Sequence, residues 1–145
     1  MNCRGPHRAL RVLLSIASLT IAASLANADP PTDYMLHCRG CHGPDGAGVP
    51  GSVPDMRGLV GRFARLPEGR IYLMRVPGVS QSELDDAATA ALLNWLVREL
   101  GGTETPADFR PYTEQEVAAH RRPPLVDVVR VRAELLAKIV GAKGD

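Results

Sequence analysis

Apolar residues recur at helical spacing along residues 83–100, where Leu84, Ala88, Ala91, Leu92, Trp95, Leu96 and Leu100 share one face. Ser80 or Ser82 can cap this helix, Glu83, Asp85 and Asp86 occupy its first turn, and Gly101-Gly102 ends it. A second periodic run covers residues 125–140, with Leu125, Val128, Val129, Leu135, Leu136, Ile139 and Val140 on one side and Arg132 among them. Thr113-Glu114-Gln115-Glu116 reads as a capping box that opens a helix over 113–121. A shorter helix is expected over 32–42, with Thr32 or Asp33 as N-cap. Residues 43–61 are rich in Gly and Pro and are expected to form a loop, and Pro67, Gly69, Pro77 and Gly78 punctuate the middle of the chain. No internal repeat and no hairpin signal interrupts this pattern. The fold class it predicts is all-α.

The N-terminus follows a different pattern. Arg4, Arg8 and Arg11 precede an apolar stretch from Leu10 to Leu25 that holds no acidic residue, and Ala26-Asn27-Ala28 matches an A-x-A cleavage signal. Residues 1–28 therefore read as a secretory signal peptide, and the export they imply points to the periplasm. The stretch is short and holds Ser15, Ser18, Thr20 and Ser24, which favours cleavage over a retained anchor. No stable membrane span is expected in the mature chain. Losing the leader takes its three arginines, so the formal charge falls from +1 to −2. That balance argues against nucleic acid as a partner. Of the three cysteines, Cys3 leaves with the leader.

The two remaining cysteines form the most specific feature of the chain. Cys38-Arg39-Gly40-Cys41-His42 is a C-x-x-C-H run, the spacing for covalent attachment of one haem c. Two thiols on one helical turn can add across the two haem vinyl groups, and His42 follows as a proximal iron ligand. A thioredoxin-like pair would need a βαβ setting, which nothing before Cys38 supplies. A structural zinc site would need about four ligands, and only His37 and His120 remain as good candidates. With only six aromatic residues in the chain, burying a haem would complete a modest core.

From Tyr34 to Leu100 the chain resembles a class I c-type cytochrome of the small bacterial monohaem kind. The resemblance rests on the haem motif on a first helix, the Gly/Pro-rich loop after it, and Leu92-Leu93-Asn94-Trp95-Leu96 on the last helix of the unit. The loop His42-Gly43-Pro44-Asp45-Gly46-Ala47-Gly48 is similar to the C-H-G-x-x-G-x-G of many such cytochromes. Val53-Pro54-Asp55-Met56-Arg57-Gly58-Leu59-Val60-Gly61-Arg62 resembles the family's G-P-N-L-x-G-x-x-G-R segment. The resemblance implies a cytochrome c-like fold, in which the N- and C-terminal helices pack around the haem. It implies that the Pro54 carbonyl meets the His42 ring N–H and fixes its tautomer, and that Arg62 pairs with a haem propionate. It also implies a methionine on the iron opposite His42. Met74 has the expected order in sequence; Met56, His120 or an open iron position remain as alternatives.

The expected organisation is a leader over 1–28, a cytochrome c domain over 29–101 and an extra helical C-terminal tail over 102–145. The expected function is periplasmic transfer of single electrons between a dehydrogenase donor and an oxidase or other cytochrome acceptor, without enzymatic activity. Two alternatives stay open. One is a haem protein with an open iron site, peroxidase-like or gas-binding; the other is a cytochrome subunit docked on a larger oxidoreductase through its tail.

Overall fold

The computed structural model describes residues 29–141, all of them helical, turn or extended connection apart from one isolated bridge between Val49 and Val53. The expected leader over 1–28 and the last four residues lie outside the described residues. The element order is α1 (Pro30–His37), α2 (Arg39–His42), α3 (Leu59–Ala64), α4 (Pro67–Arg75), α5 (Pro77–Ser80), α6 (Asp86–Leu100), a 3-10 turn (Gly102–Glu104), α7 (Glu114–His120) and α8 (Val128–Gly141). The fold is all-α, as the apolar periodicity predicts.

The helix expected over 32–42 is two helices, broken at Cys38, whose φ of −124° interrupts the first. The prolines that punctuate the middle are helix starters: α4 and α5 each carry proline in the first turn, where no intrahelical donor is lost. The long helix begins at Asp86 instead of residue 83. Its cap is Asp85, whose carboxylate accepts from the Ala88 N–H at 2.7 Å. At α7 the capping box is only half formed. Thr113 Oγ1 accepts from the Glu116 N–H, but the Glu116 carboxylate turns away to a two-pronged bond with Arg70 at 2.8 and 3.0 Å.

The helices α1 and α6 meet where Tyr34 and Trp95 stack at 5.4 Å between ring centroids. The buried core runs through Val60, Phe63, Tyr72, Leu93, Leu96 and Val97 and continues into the tail at Val117, Leu135 and Ile139. The tail therefore packs on its own chain, with α7 against α6 and α4, and α8 against α4 and α3.

Arg121 is one of the buried cations that fasten this tail. Arg121 is 2% exposed, and its guanidinium donates to the carbonyls of Leu84 and Ser82, each at 2.7 Å, and to Asp86 at 3.1 Å. Ser80 Oγ donates back to the Arg121 carbonyl at 2.6 Å. Next to it, Arg75 donates to the Pro123 carbonyl and the Leu125 N–H to the Arg75 carbonyl, each at 2.9 Å. Residues 121–125 are thus bolted to the segment between α4 and α6.

Candidate haem site

The site starts from the backbone of residues 38–56. Cys38 and Cys41 lie one turn apart, Cys38 half-buried against the core and Cys41 exposed. Burial, reinforced by Asp33 and Cys41, pushes the Cys38 thiol up to about 11. The loop that follows folds back beneath His42. Gly48 N–H donates to the His42 carbonyl, and Val49 and Val53 exchange both backbone bonds at 2.8–2.9 Å, closing a small ring. Gly48 has φ +68°, and a Cβ there would strike the Val53 carbonyl oxygen and stand 2.6 Å from that of Pro54, so only glycine allows the two strands of the loop this close. The outer side is tied by Arg57, which bonds Asp45 at 3.0 Å and Asp55 at 2.8 Å.

This ring presents the Pro54 carbonyl to His42. The His42 Nδ1–H donates to it at 3.1 Å, which leaves Nε2 as the ring's free lone-pair nitrogen. Burial lowers the His42 pKa, with the Pro54 bond opposing in part, so the imidazole is held in the neutral, metal-binding form.

His42, Cys38 and Pro54 border an apolar cavity. Its walls come from Leu59, Val60 and Phe63 of α3, from Tyr72, Leu73 and Val76 to Val79 around the end of α4, and from Leu93, Leu96 and Val97 of α6. The residues fit a haem: two thiols at its edge, a neutral imidazole with its tautomer fixed, and an apolar lining that would exclude water from a macrocycle. When bound, haem c supplies a one-electron ferric/ferrous couple.

Of the residues expected at the site, the structure brings Cys38, His42 and Pro54 to this cavity and places Cys41 one turn from Cys38 on the outside. It does not bring Met74 there. Met74 is fully buried in the core and is absent from the cavity lining, because Tyr72, Leu73 and Val76 take the cavity face of α4 and its next residue, and Met74 is rotated about 100° from Leu73. Met56 does border the cavity, while His120 is exposed on α7. Arg62 also points elsewhere: Val60 and Phe63 take the cavity side of α3, and Arg62 pairs with Glu104 at 2.9 Å. Among the lining residues that the sequence reading did not place at the site are Leu73, Val76 and Val97, and Val128 and Arg132 of α8. The signal for Val128 and Arg132 was the periodic face of residues 125–140.

An all-helical chain with a C-x-x-C-H run at the mouth of an apolar cavity has the architecture of a covalent haem protein. The comparisons with known proteins agree. No family model matches the chain. One cytochrome c-552 of Thermus thermophilus is 32% identical over 112 residues, covering 65% of this chain and 75% of that protein. A second cytochrome c-552 from the same species is 32% identical over 98 residues, covering 55% of this chain and 75% of the relative. The chain belongs to the class I c-type cytochromes, electron-transport proteins that carry iron in a covalently bound haem c.

Proposed function

We propose that the protein is a periplasmic carrier of single electrons between a dehydrogenase and a respiratory acceptor, with no chemistry of its own beyond the redox step. Cys38 and Cys41 would hold haem c as thioethers, and His42 would ligate its iron. The observation that carries this reading is the His42–Pro54 bond at 3.1 Å on the rim of an apolar cavity, because it fixes the tautomer and orientation of the imidazole that would meet the iron. The lining residues exclude water, which keeps the surroundings of the iron from reorganising on electron transfer and favours the less charged, reduced state. Cys41 and the outer face of α2 are exposed, so the thioether edge of the haem would be the natural point of contact for a small, transient redox interface. Among the described residues no helix is long and apolar enough to cross a membrane.

The attachment is tested by denaturing electrophoresis followed by haem staining. Haem should migrate with the polypeptide, and Cys38→Ser combined with Cys41→Ser should abolish the stained band. Haem released intact from the unmutated protein by acid acetone would overturn the assignment.

A further inference from the structure

Haem c brings charge as well as iron. Its vinyl groups lie on one half of the macrocycle and two propionates on the other, so attachment through Cys38 and Cys41 leaves two carboxylates for the rest of the chain to receive. Arg62, which the resemblance assigns to a propionate, is committed elsewhere: it pairs with Glu104 at 2.9 Å and does not border the cavity. The titratable or charged side chains that do border it, among the described residues, are His37, Cys38, His42, Asp55, Tyr72 and Arg132. Asp55 is an anion already gripped by Arg57, at 2.8 and 3.0 Å. His37 is exposed, and His42 is bonded to Pro54. Arg132 is thus the one permanent cation of the described lining.

Arg132 is half-buried and, among the described residues, makes neither an ion pair nor a hydrogen bond. It borders two spaces: the apolar cavity, and an open groove over the loop lined by Gly48, Ser52, Asp55 and Arg57. On the cavity wall its charge reaches the phenol of the buried Tyr72. A propionate suits such a border, with apolar wall for its methylenes and polar ground for its carboxylate. A guanidinium fork matches a carboxylate, and one half-buried without a partner favours an anion beside it. Arg132 comes from α8, which packs on α3 and α4, whereas the cysteines belong to the run of α1 and α2, with α1 on α6. Separate elements thus serve the two halves of the macrocycle. On the haem attachment proposed above, which this reading requires, we propose that Arg132 pairs with a haem propionate in place of Arg62, so that the cofactor itself helps to hold the C-terminal helix.

The holoprotein is tested by resonance Raman spectroscopy, where the propionate bending mode reports hydrogen bonding to the carboxylates, and by equilibrium redox titration. Arg132→Leu should shift that mode. It should also move the ferrous-to-ferric ratio at a fixed potential about threefold towards ferric, because no cation then offsets the propionate. Arg132→Lys should recover most of the ratio but not the mode, since an ammonium keeps the charge and loses the fork. Arg130→Leu removes the same charge from the exposed side of α8, where Arg130 pairs with Glu134 at 2.7 Å, and should leave the mode in place. Arg62→Leu should leave it in place too. A mode and ratio unchanged in Arg132→Leu would overturn the proposal, and a shift in Arg62→Leu instead would return the role to Arg62. Should Arg132→Leu fail to fold, Arg132→Lys decides: an unshifted mode there overturns the proposal. Haem staining of each variant keeps these outcomes apart from the attachment, because only loss of the stain in the unmutated protein would overturn the haem site itself.

Discussion

At the scale of single residues, the site depends on a backbone contact. Gly48 lets the loop close on the carbonyls of Val53 and Pro54, and Pro54 in turn aims His42. Gly48→Ala should therefore act at a distance: a Cβ in this positive-φ position would displace Pro54 and cost about 1–3 kcal/mol. We expect a lower melting temperature and a weaker, heterogeneous ferric spectrum in the holoprotein. An unchanged spectrum would mean that the Pro54 carbonyl does not control the His42 ring. The proximal half of this arrangement was legible in the sequence because its spacing is local: Cys38, Cys41, His42 and Pro54 come as one short stretch. The opposite half was not. Whether Met74 or Arg62 reaches the cavity depends on which face of α4 and α3 turns inward, and one residue of helical rotation decides it. Leu73 borders the cavity and Met74 does not; Phe63 does and Arg62 does not.

At the scale of elements, the long helix and the tail helices were readable from apolar periodicity. The short helices α4 and α5 were obscured because prolines that break a helix in its interior start one at its first turn. The tail's own helices were visible, but their destination was not, since long-range packing leaves no local mark. Arg121 makes that packing specific. Removing its side chain would orphan the Leu84 and Ser82 carbonyls inside the protein, along with Asp86. Arg121→Ala should cost about 3–5 kcal/mol, read as a fall in the denaturant midpoint, with Arg121→Lys intermediate because one ammonium cannot reach all these acceptors. Deleting residues 103–145 should destabilise the remainder by at least as much, since α8 supplies Val128 and Arg132 to the cavity wall. A truncated protein as stable as the full chain would show that the tail contributes nothing to the haem unit.

At the scale of the whole molecule, an ion pair joins the tail to the body. Burial alone would raise the Glu116 pKa, but the Arg70 fork, with Arg110 and His120 adding to it, outweighs burial and holds the carboxyl below its usual 4.5. A carboxylate whose pKa is lower in the folded chain stabilises the fold fully above the unfolded value, and that stabilisation is lost as pH falls through the folded one. The wild type should accordingly lose stability below about pH 4.5. Glu116→Gln should be less stable at neutral pH, and the gap between the two should narrow steadily as pH falls below the usual carboxylate range. Chemical denaturation across this range measures both curves; a constant gap would show that Glu116 is not the group responsible.

The participation of α8 in the cavity wall also has a meaning in time. Most of the cavity's lining lies between residues 37 and 97, whereas Val128 and Arg132 arrive some thirty residues later in the chain. Contacts between distant parts of a chain form slowly, because the intervening loop must first be closed. During folding the cavity would thus stand as an open trough before its last wall arrives. Cys38, whose thiol is suppressed once buried, is at its most reactive in that interval. Haem attachment should belong to this early stage, and docking of the last helix would then seal a cofactor already in place.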